Sequence, residues 1–137
     1  MNADGSNVTL ISNGAGRDTC SYFYPGGNEL IFSSTRSDGP WCSPTPDMSY
    51  GYVWPVYKSM DIYRLDLRTR YLTQLTKEEG YDAESTISPD GKKIVFTSAR
   101  SGDLELWTMN LDGTELRRIT YTPGYDGGWT HTILLYF

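Results

Sequence analysis

The sequence contains one unit three times, and this repetition constrains the fold more than any other feature. Residues 109–128, MNLDGTELRRITYTPGYDGG, align without gaps onto residues 1–20, MNADGSNVTLISNGAGRDTC, and more loosely onto residues 65–84. Residues 85–101, STISPDGKKIVFTSARS, match residues 21–37, SYFYPGGNELIFSSTRS. A chain made of such copies is expected to stack repeated supersecondary units on one another.

Each copy is predicted to contain a tight antiparallel hairpin. The turn Ser88-Pro89-Asp90-Gly91 has Pro where φ must be near −65°, Asp able to bond its own backbone, and Gly where φ is positive. β-branched and aromatic residues lie on both sides of it, which indicates strands. One copy therefore predicts four strands, at residues 83–88, 92–98, 104–110 and 115–120.

The spacing of the copies indicates the architecture. Asp82 and Asp126 are 44 residues apart, whereas Asp18 and Asp82 are 64 apart, and an insertion of about 20 residues between Ser37 and Met60 accounts for the difference. Four antiparallel strands every 40 to 50 residues, with apolar residues on both faces, are typical of a propeller blade. We therefore predict an all-β fold, a partial β-propeller of four-stranded antiparallel blades.

The whole chain, 1–137, is predicted to be a single partial propeller domain with two complete blades and flanking strands. Its parts are a blade remnant at 1–18 with a strand at Asn7–Ser12, a blade at 19–76 with an insert at 38–59, a blade at 83–120, and the start of a next blade or an atypical tail at 121–137. Propellers close with four to eight blades. We expect a piece of a longer protein, or self-association of the fragment through its open blade faces, aided by the apolar residues 133–137.

Charge and hydropathy exclude two classes of partner. The net charge is −5 and no cluster of Lys or Arg is present, so nucleic acid is not expected. No apolar run reaches the 18 residues of a membrane span, and no export signal is recognisable in the chain.

The stretch TISPDGKKIVFTSARSGDLELWTMNLDGTELRRIT resembles the WD-like propeller repeat of the TolB family. The resemblance extends over residues 1–128 and implies a six-bladed ring in a bacterial, often periplasmic, protein that docks partners rather than performing chemistry. We accordingly expect a periplasmic or extracellular location, a protein or peptide partner and no cofactor. The sequence departs from the family pattern at the insert and at WTHTILLYF, residues 129–137.

Two acid–base pairs recur in the copies. Pairing across each hairpin is predicted to bring Arg36 beside Asp18 and Arg100 beside Asp82. We interpret these as structural, partly buried ion pairs, with ligand binding as the alternative.

Aromatic residues concentrate at the end of the blades that carries the insert. The insert supplies five aromatic residues, which alternate with several prolines: Trp41, Tyr50, Tyr52, Trp54 and Tyr57. Two more, Tyr81 and Tyr125, directly precede the repeated aspartates Asp82 and Asp126. Flat rings with polar tips on a proline-stiffened loop suit contact with a peptide or a sugar. A lid folded inward over the blade ends is the alternative.

The two cysteines, Cys20 and Cys42, are both predicted near this same end. A disulfide between them would close a loop of about 22 residues and add on the order of 3 kcal/mol. We favour the bridge because the family is exported. Two free thiols are the alternative.

Catalysis and metal binding are not expected. The single histidine, His131, lies in the atypical tail, so neither a Ser-His-acid triad nor a histidine-rich metal site can be assembled. We predict a non-enzymatic scaffold that binds protein or peptide. The alternatives are the propeller portion of a larger enzyme, such as a prolyl-oligopeptidase-type peptidase or an oligogalacturonate lyase, and a carbohydrate-binding propeller.

Overall fold

The computed structural model describes residues 1–127, and their ordered part forms two four-stranded antiparallel sheets. The strands follow one another in space as they do in sequence. The first sheet contains β1 (Asp18–Phe23), β2 (Glu29–Ser34), β3 (Asp61–Asp66) and β4 (Leu72–Gln74), with a short 3-10 helix (Arg36–Asp38) after β2. The second contains β5 (Asp82–Ile87), β6 (Lys93–Ser98), β7 (Glu105–Asn110) and β8 (Arg117–Arg118). The predicted fold class, all-β with four-stranded antiparallel blades, is confirmed.

The predicted hairpin joins β5 to β6, with Ile87 opposite Ile94. Gly91 has φ +70°, and its N–H donates to the Ser88 carbonyl at 2.8 Å. The Ser88 hydroxyl accepts from the N–H of Lys93 at 2.9 Å, which fixes the start of β6. The turn residues thus set the register of the sheet.

The inner strands β1 and β5 share one irregularity. The pairing shifts between Thr19 and Tyr22 in β1 and between Ala83 and Thr86 in β5. At the same relative position Cys20 has φ +52° and Glu84 has φ +57°. Such bulges turn a side chain out of the regular alternation.

The two sheets stack face to face. Ile31 and Ile62 of the first sheet pack in one cluster with Ile94, Phe96 and Met109 of the second, and all five are fully buried. Each sheet thus buries one apolar face against its neighbour, as the apolar residues on both faces of the predicted strands indicated.

The opposite face of the first sheet, here called the rear face, presents Phe32, Tyr63 and Leu65. Ile11 packs against this cluster from the N-terminal segment. The prediction of a strand at Asn7–Ser12 is wrong, because this stretch has no strand pairing. A fourth strand is held by the third strand of its own blade, and residues 1–6 form no strand that could hold it.

The outermost strand β8 is shorter than the six residues predicted at 115–120. Glu115 has φ +54°, which takes the chain out of the β region immediately before β8. The backbone then pairs with β7 at Arg117 and Arg118, and the N–H of Ile119 donates to the carbonyl of Leu106 at 2.8 Å.

Candidate functional site

The loop-bearing face is the edge of both sheets at which β1 and β5 begin and β2 and β6 end. It carries the insert 38–59, the linker 75–81 between the sheets, and the segment 121–126 after the second sheet. The predicted site residues all belong to this edge.

The two acid–base pairs lie at equivalent positions of this edge. Arg36 Nη2 is 2.7 Å from Asp18 Oδ1, and Arg100 Nη2 is 2.7 Å from Asp82 Oδ2. In each sheet the arginine Nε also donates to the serine that ends the preceding strand, at 3.0 Å for Ser34 and 2.8 Å for Ser98. The arginine is thereby fixed in one orientation.

Both arginines also cover aromatic rings of their own sheet. The Cζ of Arg100 lies 5.4 Å from the centroid of Phe96 and 5.1 Å from that of Trp107. Arg36 lies in the same way over Phe32 and Tyr63. Each arginine thus places its charge, its hydrogen-bond donors and its planar face in contacts within its own sheet.

The insert is tied to the first sheet by a residue that the sequence patterns did not single out. Arg17 donates from Nε and Nη2 to the carbonyl of Ser43, at 3.2 and 3.1 Å, and lies 5.4 Å from the centroid of Tyr57. The Tyr57 hydroxyl donates to the carbonyl of Pro44 at 3.0 Å. The signal for Arg17 was its place in the repeat, where the other copies have Tyr81 and Tyr125.

The rings of the insert point mainly outward. Trp41, Tyr50 and Tyr52 are at least 79% exposed, and Trp54 is half-exposed. Tyr52 and Trp54 form a tilted ring pair with centroids 6.4 Å apart. A lid packed over the blade ends would bury these rings, so this arrangement favours the surface over the lid.

Tyr81 and Tyr125 differ from the insert aromatics. Tyr81 is buried, which raises its pKa to about 12, and its hydroxyl accepts from Trp54 Nε1 at 3.4 Å. Tyr81, which we expected among the binding residues, therefore lies beneath the insert and contacts Trp54. Tyr125 is half-exposed, its hydroxyl donates to Glu84 at 2.7 Å, and burial together with that carboxylate raises its pKa.

Cys20 and Cys42 are free thiols, contrary to the bridge that we favoured. The Cys42 thiol donates to the carbonyl of Gly16 at 3.4 Å, and Cys20 Sγ is 3.3 Å from the Thr19 hydroxyl. The bulge in β1 gives Cys20 a positive φ, and its side chain borders a pocket on the rear face of the first sheet. The two sulfur atoms thus have separate partners.

Residues 1–127 contain no group of three His, Cys, Asp or Glu side chains that could hold a metal ion. Within the same residues, every helix is too short or too polar for a membrane crossing. His131 and the other residues of the predicted atypical tail beyond 127 lie outside the described part.

The two four-stranded antiparallel sheets are stacked, and a linker joins the outer strand of the first to the inner strand of the second. This arrangement defines blades of a β-propeller. Residues 55–132 match the family described as TolB beta propeller domain. The chain belongs to this family.

Curated relatives include an uncharacterized protein, Atu1656, of Agrobacterium fabrum, which is 36% identical over 81 residues, covering 58% of this chain and 28% of the relative. The Tol-Pal system protein TolB of Francisella tularensis is 30% identical over 92 residues, covering 62% of this chain and 21% of that protein. Both organisms are bacteria.

Two solved structures share the fold. A putative TolB from Agrobacterium tumefaciens superposes with a TM-score of 0.58 at 26% identity, covering 82% of this chain and 33% of that one. TolB from Acinetobacter baumannii superposes with a TM-score of 0.56 at 24% identity, covering 79% of this chain and 22% of that one. The chain thus spans between a fifth and a third of the proteins that it resembles.

Proposed function

We propose that this chain is part of a non-enzymatic propeller that binds a protein or peptide through its loop-bearing face. The observation that carries the proposal is the set of outward rings on the insert, at Trp41, Tyr50 and Tyr52. Exposed aromatic side chains held on an anchored loop supply contact area at a small entropic cost, as in protein-binding surfaces.

The relatives support this class of function. Proteins named for the Tol-Pal system share the repeat and the fold. By analogy we place this protein in the periplasm or outside a bacterial cell, with a protein partner and no cofactor. The anchoring of the insert by Arg17 and Tyr81 also supports the proposal, because a pre-ordered loop loses less entropy on binding.

A peptide selection tests the proposal. Peptides are selected from a displayed library against the 137-residue chain, and the affinities of synthetic copies are measured by calorimetry. The double variant Tyr50→Ala/Tyr52→Ala is expected to weaken binding about 100-fold, since each lost aromatic contact is worth roughly 1 to 2 kcal/mol.

Tyr71→Ala is the matched control. Tyr71 is an exposed tyrosine in the β3–β4 turn, at the opposite end of the first sheet, and its loss is expected to leave affinity unchanged. Peptides that bind the double variant as well as they bind the unaltered chain would contradict the proposal.

A carbohydrate ligand is the second candidate, favoured by the ring pair of Tyr52 and Trp54. Two rings that diverge from each other offer a platform for a sugar face. A glycan array would show a signal that disappears in Trp54→Ala, and an array without signal from a folded chain would exclude this candidate.

We also propose that the fragment self-associates through its rear face. A pocket of about 440 Å³ opens there, bordered by Ile11, Phe32 and Leu65, and the neighbouring Val8 and Leu10 are exposed. A second copy could cover this apolar surface as a preceding blade would. Light scattering is expected to give a dimer or trimer at high concentration, and a monomer throughout would overturn the proposal.

A further inference from the structure

One repeat position near the loop-bearing face differs between the two sheets. In the second sheet, Glu105 begins β7 and is fully buried. Its carboxylate accepts hydrogen bonds from the Arg118 guanidinium and from the Thr120 hydroxyl. The buried negative charge therefore has an internal cation.

In the first sheet, Asp61 occupies the place of Glu105 and Thr76 that of Thr120. Gln74 stands where the second sheet has Arg118: Tyr63 faces Gln74 across the β3–β4 ladder, as Trp107 faces Arg118. A neutral amide has thus replaced the guanidinium.

Within residues 1–127, the hydrogen bonds that Asp61 accepts all come from neutral groups. Gln74 Nε2 donates at 2.9 Å, the Thr76 hydroxyl at 3.1 Å and the Ser37 hydroxyl at 3.3 Å. A carboxylate offers about four lone-pair sites, so one remains for a further donor. Burial raises the pKa of Asp61, and the negative charge of Asp82 adds to the shift.

A pocket of about 540 Å³ borders Asp61, between the insert and the outer part of the first sheet. Its walls include Tyr57 and Ser43, and the Ser43 hydroxyl is buried without a hydrogen-bond partner among residues 1–127. The remaining walls carry more carboxylates than ammonium groups: Asp38, Glu78 and Glu79 against Lys58 and Lys77. Lys58 is itself 3.9 Å from Glu79.

We propose that this pocket binds a guanidinium group, that of an arginine side chain on the partner, with Asp61 as its buried acceptor. The ligand would supply the cation that Arg118 supplies in the second sheet. A guanidinium fits better than an ammonium, because its planar fork can reach the free site of Asp61 and the Ser43 hydroxyl together. The Tyr57 ring on the wall offers an apolar face to the arginine stem.

This inference rests on the proposed function for its partner, a protein or peptide, and adds that the bound segment carries an arginine beside the residues that contact the aromatic insert. The pocket and the exposed rings share the same insert, so one extended peptide can reach both.

The probe is N-acetyl-arginine amide, titrated into the chain and followed by NMR, with N-acetyl-citrulline amide as its uncharged isostere. Arginine amide is expected to shift signals of residues around Asp61 and Gln74 and to bind at least about tenfold more tightly than citrulline amide, since hydrogen bonds between charged groups exceed neutral ones by roughly 1 to 2 kcal/mol. Equal affinities for the two amides would overturn the inference.

Gln74→Arg is the decisive variant. It rebuilds the arrangement of Glu105 and Arg118 in the first sheet, so it is expected to keep the fold and to weaken arginine amide binding at least about tenfold. Lys77→Met is the control: it removes a positive charge from the pocket and is expected to maintain or increase affinity. Undiminished binding by Gln74→Arg, or lost binding by Lys77→Met, would contradict the inference.

The small probe separates this inference from the proposed function. Tyr50→Ala/Tyr52→Ala is expected to leave arginine amide binding unchanged while weakening selected peptides. If selected peptides bind through the rings but arginine amide does not bind, the inferred arginine pocket alone would be refuted. Arginine amide binding with no peptide dependence on the rings would overturn the proposed function alone.

Discussion

The strands β1 and β5 occupy equivalent positions in the two sheets, yet β1 is largely exposed and β5 is almost wholly buried. A smaller difference in the same direction separates two equivalent phenylalanines: Phe32 on the rear face of the first sheet is 7% exposed, and Phe96 on the corresponding face of the second sheet is 0% exposed. The first sheet packs against the corresponding face of the second sheet, whereas, within residues 1–127, only the segment around Ile11 packs against the rear face of the first sheet from outside that sheet. The repeated sequence determines the strands of each sheet, and the neighbouring sheet determines how completely the apolar residues of that sheet are buried.

The polar positions follow a different rule. The pairs of Arg36 with Asp18 and Arg100 with Asp82 keep the same geometry in both sheets, because both partners belong to one hairpin. The position of Asp61 and Glu105 changes its chemistry, because its cation comes from the outermost strand. Residue type thus differs between the two sheets at the outer strand and near the loop-bearing face, which we propose as the binding surface.

The largest expected effect concerns the rear faces. Phe96→Ala should lower the free energy of unfolding by about 4 kcal/mol, because it leaves a cavity between two packed sheets. Phe32→Ala should cost about half as much, since the pocket beside Phe32 already admits solvent. Urea unfolding followed by circular dichroism measures both. Equal losses would show that the segment around Ile11 seals the first sheet as well as a whole blade does.

The repeat made most of the fold predictable. Turn residues such as Pro89 and Gly91 gave the hairpins, and the spacing of Asp18, Asp82 and Asp126 gave the blade size and the position of the insert. The prediction of a strand at Asn7–Ser12 was wrong, because sequence similarity to an outer strand does not supply the neighbouring strand with which it must pair.

The second expected effect concerns the ion pairs. Arg100→Met should cost about 3 kcal/mol, because it leaves the Asp82 carboxylate, 3% exposed, without its cation. Arg36→Met should cost about 1 kcal/mol, since the Asp18 side chain is 23% exposed and can recover water. Lys92→Met, which breaks the exposed contact with Asp90, should change stability negligibly. A similar cost for both arginines would mean that their ring contacts, and not the charge pairs, carry the energy.

The candidate site was less predictable than the fold. The sequence indicated which rings the insert offers, but not that Arg17 would hold it through a backbone carbonyl, because a loop anchor depends on a path that no repeat encodes. The predicted disulfide failed for the same reason, since the route of the insert sets the distance between Cys20 and Cys42. The difference at Gln74 was readable: residues 72–76, LTQLT, align with residues 116–120, LRRIT.

The smallest expected effect is a pH dependence at Asp61. Its pKa is raised above the ordinary value of 3.8, chiefly by burial, so the folded state binds a proton more readily than the unfolded state. The contribution of this group to stability is therefore present at low pH and is lost as pH rises through the folded pKa. Urea unfolding between about pH 4 and pH 7 should show a decline with pH that Asp61→Asn lacks.

Gln74→Arg sharpens this last comparison by converting the first sheet to the pattern of the second. A guanidinium beside Asp61 lowers the pKa of the carboxyl, so the folded state binds the proton less readily than in the unaltered chain, and the decline of stability with pH should become smaller. The informative quantity is each variant's stability minus that of the unaltered chain at the same pH, because this difference cancels the titration of groups elsewhere in the chain. If Gln74→Arg left the slope unchanged, then Lys77 or solvent would already neutralise Asp61, and the two sheets would differ at this position in residue type without differing in charge balance.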